Sequence, residues 1–324
     1  MKHLLDVQDL VVKFGLRSGE LTALNGINFT LNPGERMGLV GESGAGKSVA
    51  GFSIINLISK PGFIASGRVL FEGEEISAYP LEQMRDIRGN RISMIFQDPM
   101  MTLNPVLTIG TQMVETIQAH NNISAAHARE IALEKLAKVY ISSPGKRLGQ
   151  YPHELSGGMR QRVVIAISLL TNPSLIIADE PTTALDVTIQ AEVMALLLEL
   201  CRNDNMGLIL ITHDLGVVSQ VTEKIAVMYA GRIVEQGPTE AIVGSPRHPY
   251  TRGLIKALPQ GSGGQRRLHQ IPGMMPNLTS IPAGCAFHPR CEHAMDVCRR
   301  VAPPLFGQSA TAGLVACHLY EQTR

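Results

Sequence analysis

The stretch "GESGAGKS", Gly41–Ser48, follows the apolar run "RMGLV" without a break, and it constrains the fold more than any other part of the chain. It fits the pattern G-x-x-x-x-G-K-[ST], in which a strand leaves through a glycine-rich loop into a helix. Gly41, Ser43, Gly44, Ala45 and Gly46 form a loop whose backbone N–H groups can turn inward onto phosphate oxygens, where larger side chains would obstruct them. Lys47 adds a point charge for β- and γ-phosphates, and Ser48 adds a hydroxyl for Mg²⁺. The helix expected to begin near Gly46 adds the positive end of its dipole. Together these residues read as a nucleotide-phosphate site.

A second element, "LIIADEP" from Leu175 to Pro181, is a short apolar run ending in two carboxylates. Buried parallel strands read as unbroken apolar runs, and their carboxyl ends face the crevice where ligands bind. Asp179 is expected there to reach Mg²⁺ through water. Glu180, one residue on, points differently and is expected to polarise the water that attacks the γ-phosphate. The composition, 44% hydrophobic and 18% charged with a formal net charge of +1, is that of a soluble globular protein and argues against a broad nucleic-acid footprint. No apolar run reaches the roughly 18–20 residues needed to cross a bilayer. The start "MKHLLDVQDL" lacks a basic region followed by an apolar signal core, so the chain reads as cytosolic.

A third element, "LSGGMRQR" from Leu155 to Arg162, places Ser156, Gly157 and Gly158 at the expected start of a helix, a second anion-binding terminus. One nucleotide needs only one such feature, so the second implies a site completed by another subunit. With these motifs the chain resembles the ATP-binding cassette family, over roughly residues 3–235. The resemblance implies two nucleotide domains packed head to tail, each signature closing over the ATP held by its partner. Gln97 in "MIFQDP" matches the glutamine that senses the γ-phosphate, serves Mg²⁺ and touches the membrane subunits. Asp186 in "TALD" matches the loop that crosses to the other subunit, and His213 in "LILITHD" matches the switch histidine. Phe14 in "VVKFG" matches the aromatic that stacks on adenine, although a Phe beside a strand also suits a core. Catalysis thus falls to Glu180, His213 and Gln97.

The fold expected is α/β, a cassette with a mixed-sheet core, an antiparallel β subdomain and a helical subdomain. "LLDVQDLVVKF" and "GINFTLN" alternate as half-buried antiparallel strands do, and "RMGLVG", "RISMIFQD", "SLIIADE" and "GLILITHD" read as strands of the central sheet. "TIQAEVMALLLELCRN" is helical, and "KIAVMYAGRIVEQG" reads as a closing hairpin. The cassette is expected over 1–235, its helical part at about 98–158, and a C-terminal extension over 236–324. Within the helical part, Tyr140 stands where glycine is expected, which puts the turn there in question.

Exporters of the family more often fuse membrane spans to the cassette; here none is present, as in bacterial importers. "SPRHPYTRGLIKALP", Ser245–Pro259, resembles the C-terminal signature of dipeptide, oligopeptide and nickel importer ATPases, and "DPMMTLNP" and "YPHELSGG" match the same subfamily. On the residues alone, the former is a helix with a proline-rich start and a proline stop. The resemblance implies an ATP-hydrolysing subunit of a peptide importer on the cytoplasmic face of the inner membrane. Its implied partners are a second cassette (a paralogue or an identical chain), two permease subunits and an extracytoplasmic binding protein, with no nucleic acid. Import of nickel or another small solute, and a non-transport cassette ATPase, stay open.

"GSGGQRR", from Gly261, reads as a linker. Beyond it lie Cys285, Cys291, Cys298 and Cys317, separated by five, six and eighteen residues. A cytosolic chain should not hold these as stable disulfides, and four thiols in a proline-rich segment with little apolar material suggest a metal staple. Zinc usually takes C-x₂₋₄-C pairs, and none is present, so the looser spacing suits a [4Fe–4S] cluster. The tail also resembles the cysteine-bearing extension of peptide-importer ATPases. His288 and His318 keep zinc open, and four free thiols remain the simplest alternative. The cassette motifs lie far upstream, so ATP binding is expected to be independent of these cysteines. Cys201, on an apolar helix, reads as core.

Overall fold

The first strand, β1 (Leu5–Leu16), follows the apolar pattern closely. Leu5, Val7, Leu10 and Val12 are buried, so the alternation slips by one residue between Val7 and Leu10. The computed structural model, which describes residues 2–17, 19–183, 185–258, 270–308 and 313–321, has a register shift at this point. Asp9 turns left-handed there with φ 45°, its N–H donates to Asn28 Oδ1 at 2.8 Å, and Asn28 Nδ2 donates back to Asp9 Oδ1 at 2.8 Å. Without that extra residue every later apolar side chain of the strand would face the wrong side.

The remaining strands are β2 (Gly19–Leu31), β3 (Arg36–Val40), β4 (Gly62–Phe71), β5 (Glu74–Glu75), β6 (Ile92–Ile95) and β7 (Leu175–Asp179). They continue with β8 (Gly207–Thr212), β9 (Lys224–Tyr229), β10 (Arg232–Pro238), β11 (Phe306–Gln308) and β12 (Gly313–Val315). The helices are α1 (Lys47–Ile54), α2 (Leu81–Ile87), α3 (Pro99–Thr102), α4 (Ile109–His120), α5 (Ala125–Lys138) and α6 (Pro144–Leu148). After these come α7 (Gly157–Ser168), α8 (Val187–Asn203), α9 (Leu215–Val221), α10 (Thr239–Gly244) and α11 (Pro249–Lys256). No helix among the described residues is long and apolar enough to cross a membrane. The expected linker from Gly261 lies outside the described residues.

The chain packs as two compact units. The first comprises Met1–Leu31, Glu35–Ala78 and Leu210–Arg324. It holds an antiparallel sheet ordered β2-β1-β4-β5 and the strand order β11-β12-β10-β9-β3. β3 pairs in parallel with β9, Met37 opposite Lys224, and β9 turns back antiparallel into β10, the expected hairpin. β10 runs across residue 235; Gln236 faces Ala226 of β9 on one side and Leu314 of β12 on the other.

The second unit comprises Asn32–Gly34 and Tyr79–Ile209. β6 and β7 pair in parallel from Ile92–Leu175 to Ile95–Ala178, with β8 beyond β7. Every residue of β7 and β8 is buried, which is why both read as unbroken apolar runs. The helices start where short polar side chains accept an N–H that has no partner within the helix: Thr108 before α4, Ser124 before α5, Ser156 before α7 and Asp186 before α8. Cys201 is buried on α8, as expected.

Tyr140 explains itself here. It follows α5 with φ 59°, the left-handed conformation that closes many helices and that glycine adopts without steric cost. Its N–H donates to Ala137 O at 2.9 Å, and the next N–H, of Ile141, donates to Leu136 O at 3.0 Å. The turn therefore demands what glycine offers, and Tyr140 supplies it under strain while its hydroxyl donates to Glu199 at 2.7 Å. Tyr140→Gly is expected to raise the thermal unfolding midpoint, whereas Tyr140→Ala, which keeps a Cβ, is not. Equal midpoints for the two variants would refute the strain.

Candidate functional site

In the first unit, β3 delivers the chain into the glycine loop and α1 carries it away. Gly44 and Gly46 are left-handed, with φ 82° and 100°. The glycines also answer to what lies behind the loop. A Cβ on Gly41 would sit 2.4 Å from Met228 O, and one on Gly46 would sit 3.0 Å from Ala23 O, so backbone of β9 and β2 presses against both. Gly231 N–H donates to Ala45 O at 2.9 Å and ties the loop to the β9–β10 turn. Lys47, only 6% exposed, folds across its own loop and donates to Gly41 O at 2.8 Å and Glu42 O at 3.1 Å. Ser43 and Gly44 stand exposed at the crest, and Ser48 is half-buried on α1.

His213 is exposed immediately after β8, before α9, whose first N–H groups bond to Asp214. Phe14, on β1, is half-exposed and not core. Its ring lies over the backbone of Gly62, where an added Cβ would come 2.6 Å from Cε1.

In the second unit, Asp179 ends β7 and is 4% exposed. Glu180 follows with φ 45°, a conformation that costs a non-glycine residue about 1–2 kcal/mol. Its carbonyl accepts from Thr183 N at 3.1 Å, closing a turn through Pro181. Its Oε2 accepts from Gln97 Nε2 at 3.2 Å and from Thr183 Oγ1 at 3.0 Å. The structure thus brings together Gln97 and Glu180, which are far apart in sequence. Sequence reasoning did not anticipate the part played by the Thr183 hydroxyl. Nor did it anticipate Gln190 of α8, whose amide donates to Thr182 O at 3.1 Å and Leu185 O at 3.2 Å and holds that segment.

Ser156, Gly157, Gly158 and Asp186 line one open groove of about 520 Å³ together with Tyr140 and Arg162. Ser156 Oγ accepts from Met159 N at 3.4 Å, and Asp186 Oδ1 accepts from Ile189 N at 3.0 Å, so both also serve as helix caps. The two glycines differ. A Cβ on Gly158 would lie 2.9 Å from Ile189 Cγ2, whereas one on Gly157 would meet nothing closer than Leu185 Cδ2 at 3.7 Å.

The C-terminal cysteines gather in the first unit. Cys285 N–H donates to Cys298 O at 2.8 Å. Burial pushes up the thiols of Cys285 and Cys291, and neighbouring thiols add to it: Cys298 and Cys291 for the former, Cys298 for the latter. Burial, with the other three thiols adding to it, pushes Cys317 up to about 11. Among the described residues no three His, Cys, Asp or Glu side chains lie together as a single-ion site. His318 is an unsuitable ligand as it stands, with Nδ1 on Glu321 Oε2 at 2.6 Å and Nε2 on Val301 O at 2.9 Å; His288 Nδ1 lies 3.0 Å from Cys285 O. The tail, far from the glycine loop in sequence, meets it in space. Arg290, between two of the cysteines, donates to the carboxylate of Glu42 within the loop, and Tyr250 of α11 binds the Glu42 amide.

Two family models match the chain. The family described as ABC transporter matches residues 24–183, and the family described as Oligopeptide/dipeptide transporter, C-terminal region, matches residues 234–298. The oligopeptide transport ATP-binding protein OppD of Salmonella typhimurium is 49% identical over 302 residues, 93% of this chain and 90% of OppD. OppD of Bacillus subtilis is 48% identical over 311 residues, covering 95% of this chain and 87% of OppD. Among solved structures, the dimeric ATP-binding cassette MJ0796 in a post-hydrolysis state with ADP and Pi superposes with TM-score 0.65 at 26% identity, over 72% of this chain and 98% of that one. CbiO1 of Clostridium perfringens, part of the ABC transporter complex cbiONQ, gives 0.64 at 27% identity, over 76% and 92%.

The contrast between the two signature glycines is testable without nucleotide. Gly158→Ala is expected to destabilise the protein by about 1–3 kcal/mol through overpacking against Ile189, whereas Gly157→Ala leaves stability close to the parent. Chemical denaturation of both variants checks this; equal losses would show that packing against α8 does not dictate the glycine.

Proposed function

The chain belongs to the ABC transporter ATPases that carry the oligopeptide/dipeptide transporter C-terminal region, and from that premise we propose that it is the ATP-hydrolysing subunit of a bacterial peptide importer. The observation that carries this reading is the joint presence of both family segments in one chain that is 48–49% identical to OppD proteins over nearly its whole length. The cassette is assigned to 1–235, with its helical part at about 98–158, and the importer-type extension to 236–324.

The roles follow residue by residue. Gly41, Ser43, Gly44, Ala45 and Gly46 present the loop backbone to the phosphates, Lys47 adds charge, and Phe14 stacks on adenine. The loop suits a polyphosphate because only Gly44 and the short side chain of Ser43 stand exposed on it and its lysine is already drawn in beside the loop backbone. Ser48, Gln97 and Asp179 would hold Mg²⁺, which supplies positive charge against the β- and γ-phosphates. Glu180 polarises the attacking water, with Gln97 and Thr183 fixing its carboxylate; a strained residue held by two side chains is what a positional requirement produces. His213 contacts the γ-phosphate. Ser156, Gly157 and Gly158 of one cassette close over the nucleotide of a second cassette, across which Asp186 reaches. Binding would close the pair and hydrolysis reopen it, driving two permease subunits fed by an extracytoplasmic binding protein. The chain then sits peripherally on the cytoplasmic face of the inner membrane.

For the tail we read Cys285, Cys291, Cys298 and Cys317 as ligands of a [4Fe–4S] cluster. What supports the reading is the nearness of the thiols: besides burial, Cys285 is raised by Cys298 and Cys291, Cys291 by Cys298, and Cys317 by the other three, and a cluster takes four thiolate ligands. When bound, the cluster supplies a covalent staple for a segment with little core of its own.

Two measurements test these readings. Glu180→Gln is expected to keep ATP binding and lose about 10²–10⁴-fold in hydrolysis; near-parental turnover would reject the assignment. Protein prepared without oxygen is expected to be brown, with about four irons and four sulfides per chain. Serine at any of the four positions should bleach it, while Cys201→Ser should not. Because Cys285, Cys291 and Cys317 are held protonated by their raised pKa values, assembly must release their protons, so reconstitution should be more complete above neutral pH than below it. One zinc and no iron by elemental analysis would replace the cluster with a zinc site.

A further inference from the structure

Two motifs that the ATPase chemistry does not use, the "RHPY" of α11 and the cysteine segment, meet at a single residue of the phosphate loop. Glu42 has each of its polar groups engaged. Its N–H donates to Tyr250 Oη at 2.7 Å. Its carbonyl accepts from Lys47 Nζ at 3.1 Å and from Ala45 N at 3.2 Å. Its carboxylate accepts two parallel bonds from Arg290, Nη1 to Oε2 at 2.6 Å and Nη2 to Oε1 at 2.9 Å.

Arg290 is not a loose surface arginine. Its side chain is 5% exposed, and its Nε and Nη2 also donate to Pro272 O at 2.9 Å and Ile271 O at 3.4 Å. It ends a short 3₁₀ turn, His288–Arg290, that begins three residues after Cys285 and stops directly before Cys291. Behind it Phe287 packs edge-on against Tyr229 with ring centres 5.3 Å apart, and Tyr250 packs on both, 4.7 Å from Tyr229 and 5.4 Å from Phe287. Met275 of the same segment reaches the crest, 3.9 Å from where a Cβ on Gly44 would stand.

We propose that Arg290 and Tyr250 are positioning residues of the nucleotide site: they hold Glu42 and hence the phosphate loop in its binding conformation, and Arg290 neutralises a carboxylate that the loop carries beside a polyanion. The proposal rests on the ATPase reading above. A bidentate guanidinium–carboxylate pair fixes orientation as well as charge, and a loop already ordered loses less freedom when the nucleotide binds. The carboxylate of Glu42 left without its partner would repel phosphate, an effect that salt screens. Hence the C-terminal segment, remote in sequence, sets nucleotide affinity.

The test uses the full chain and Mg–ATP. Arg290→Met is expected to raise the Kd and KM for ATP about fivefold or more, within the usual range of coupling between sites, with kcat at saturation little changed. Adding Glu42→Gln should recover part of that loss, and raising the salt concentration should shrink it; a purely structural arginine would show neither. Tyr250→Phe keeps the ring packing and removes only the hydroxyl, so it covers the case in which Arg290→Met does not fold. It should weaken ATP binding in the same direction. In the absence of nucleotide, amide hydrogen exchange at residues 42–46 should quicken in each single variant. Parental KM and parental exchange in Tyr250→Phe, or in a folded Arg290→Met, would overturn the proposal. Failure of the parent itself to bind ATP would sink the ATPase reading instead, and the exchange measurement would still decide whether the tail orders the loop.

Discussion

Lys47 lies across its own loop, bound to the carbonyls of Gly41 and Glu42, and much of the first unit is arranged around keeping that loop in shape. Backbone N–H groups that must converge on one anion require an unusual run of dihedrals, and such a run survives only where its surroundings hold it. β9 and β2 press against Gly41 and Gly46 from behind, so that a Cβ on Gly41 would clash with Met228 O and one on Gly46 would be crowded against Ala23 O. The β9–β10 turn binds Ala45, and Glu42 is gripped by Tyr250 and Arg290. The loop is held from several elements at once, and its glycines answer to packing whatever the loop binds.

The second unit solves a similar problem with side chains. Glu180 is held in a left-handed conformation at the end of a fully buried strand, and its carboxylate is fixed by Gln97 and Thr183. The signature segment combines functions in the same residues. Ser156 caps α7, Asp186 caps α8, and the space beside Gly158 is filled by Ile189. A motif that reads as pure ligand chemistry is therefore partly a set of folding instructions, and substitutions within it act on stability and on binding by separate routes.

Much was legible in the residues alone. The glycine loop between β3 and α1, the apolar strands, the helix start at Ser156 and the β9–β10 hairpin all depend on local rules of backbone geometry, periodicity and capping, which act within a few residues of sequence. The oddity at Tyr140 was visible only against the family pattern, which has glycine where the left-handed turn after α5 makes its local demand. The bulge at Asp9 was not recognised, although its signal, the change of phase between Val7 and Leu10, stands in the sequence.

What the chain determined by itself was which chemistry it can present: phosphate-binding amides, a paired aspartate and glutamate, four thiols. Which of these groups touch was decided by tertiary structure. Nothing in local sequence says that Arg290 will bind Glu42, that Thr183 and Gln97 will share one oxygen of Glu180, or that His318 will have both ring nitrogens engaged. The first two bring together groups up to 248 positions apart, and such contacts arise only when buried strands and aromatic packing have fixed the backbone on both sides. Long-range pairing has no periodicity to read, because it is set by where separate elements come to rest and not by the spacing within any one of them.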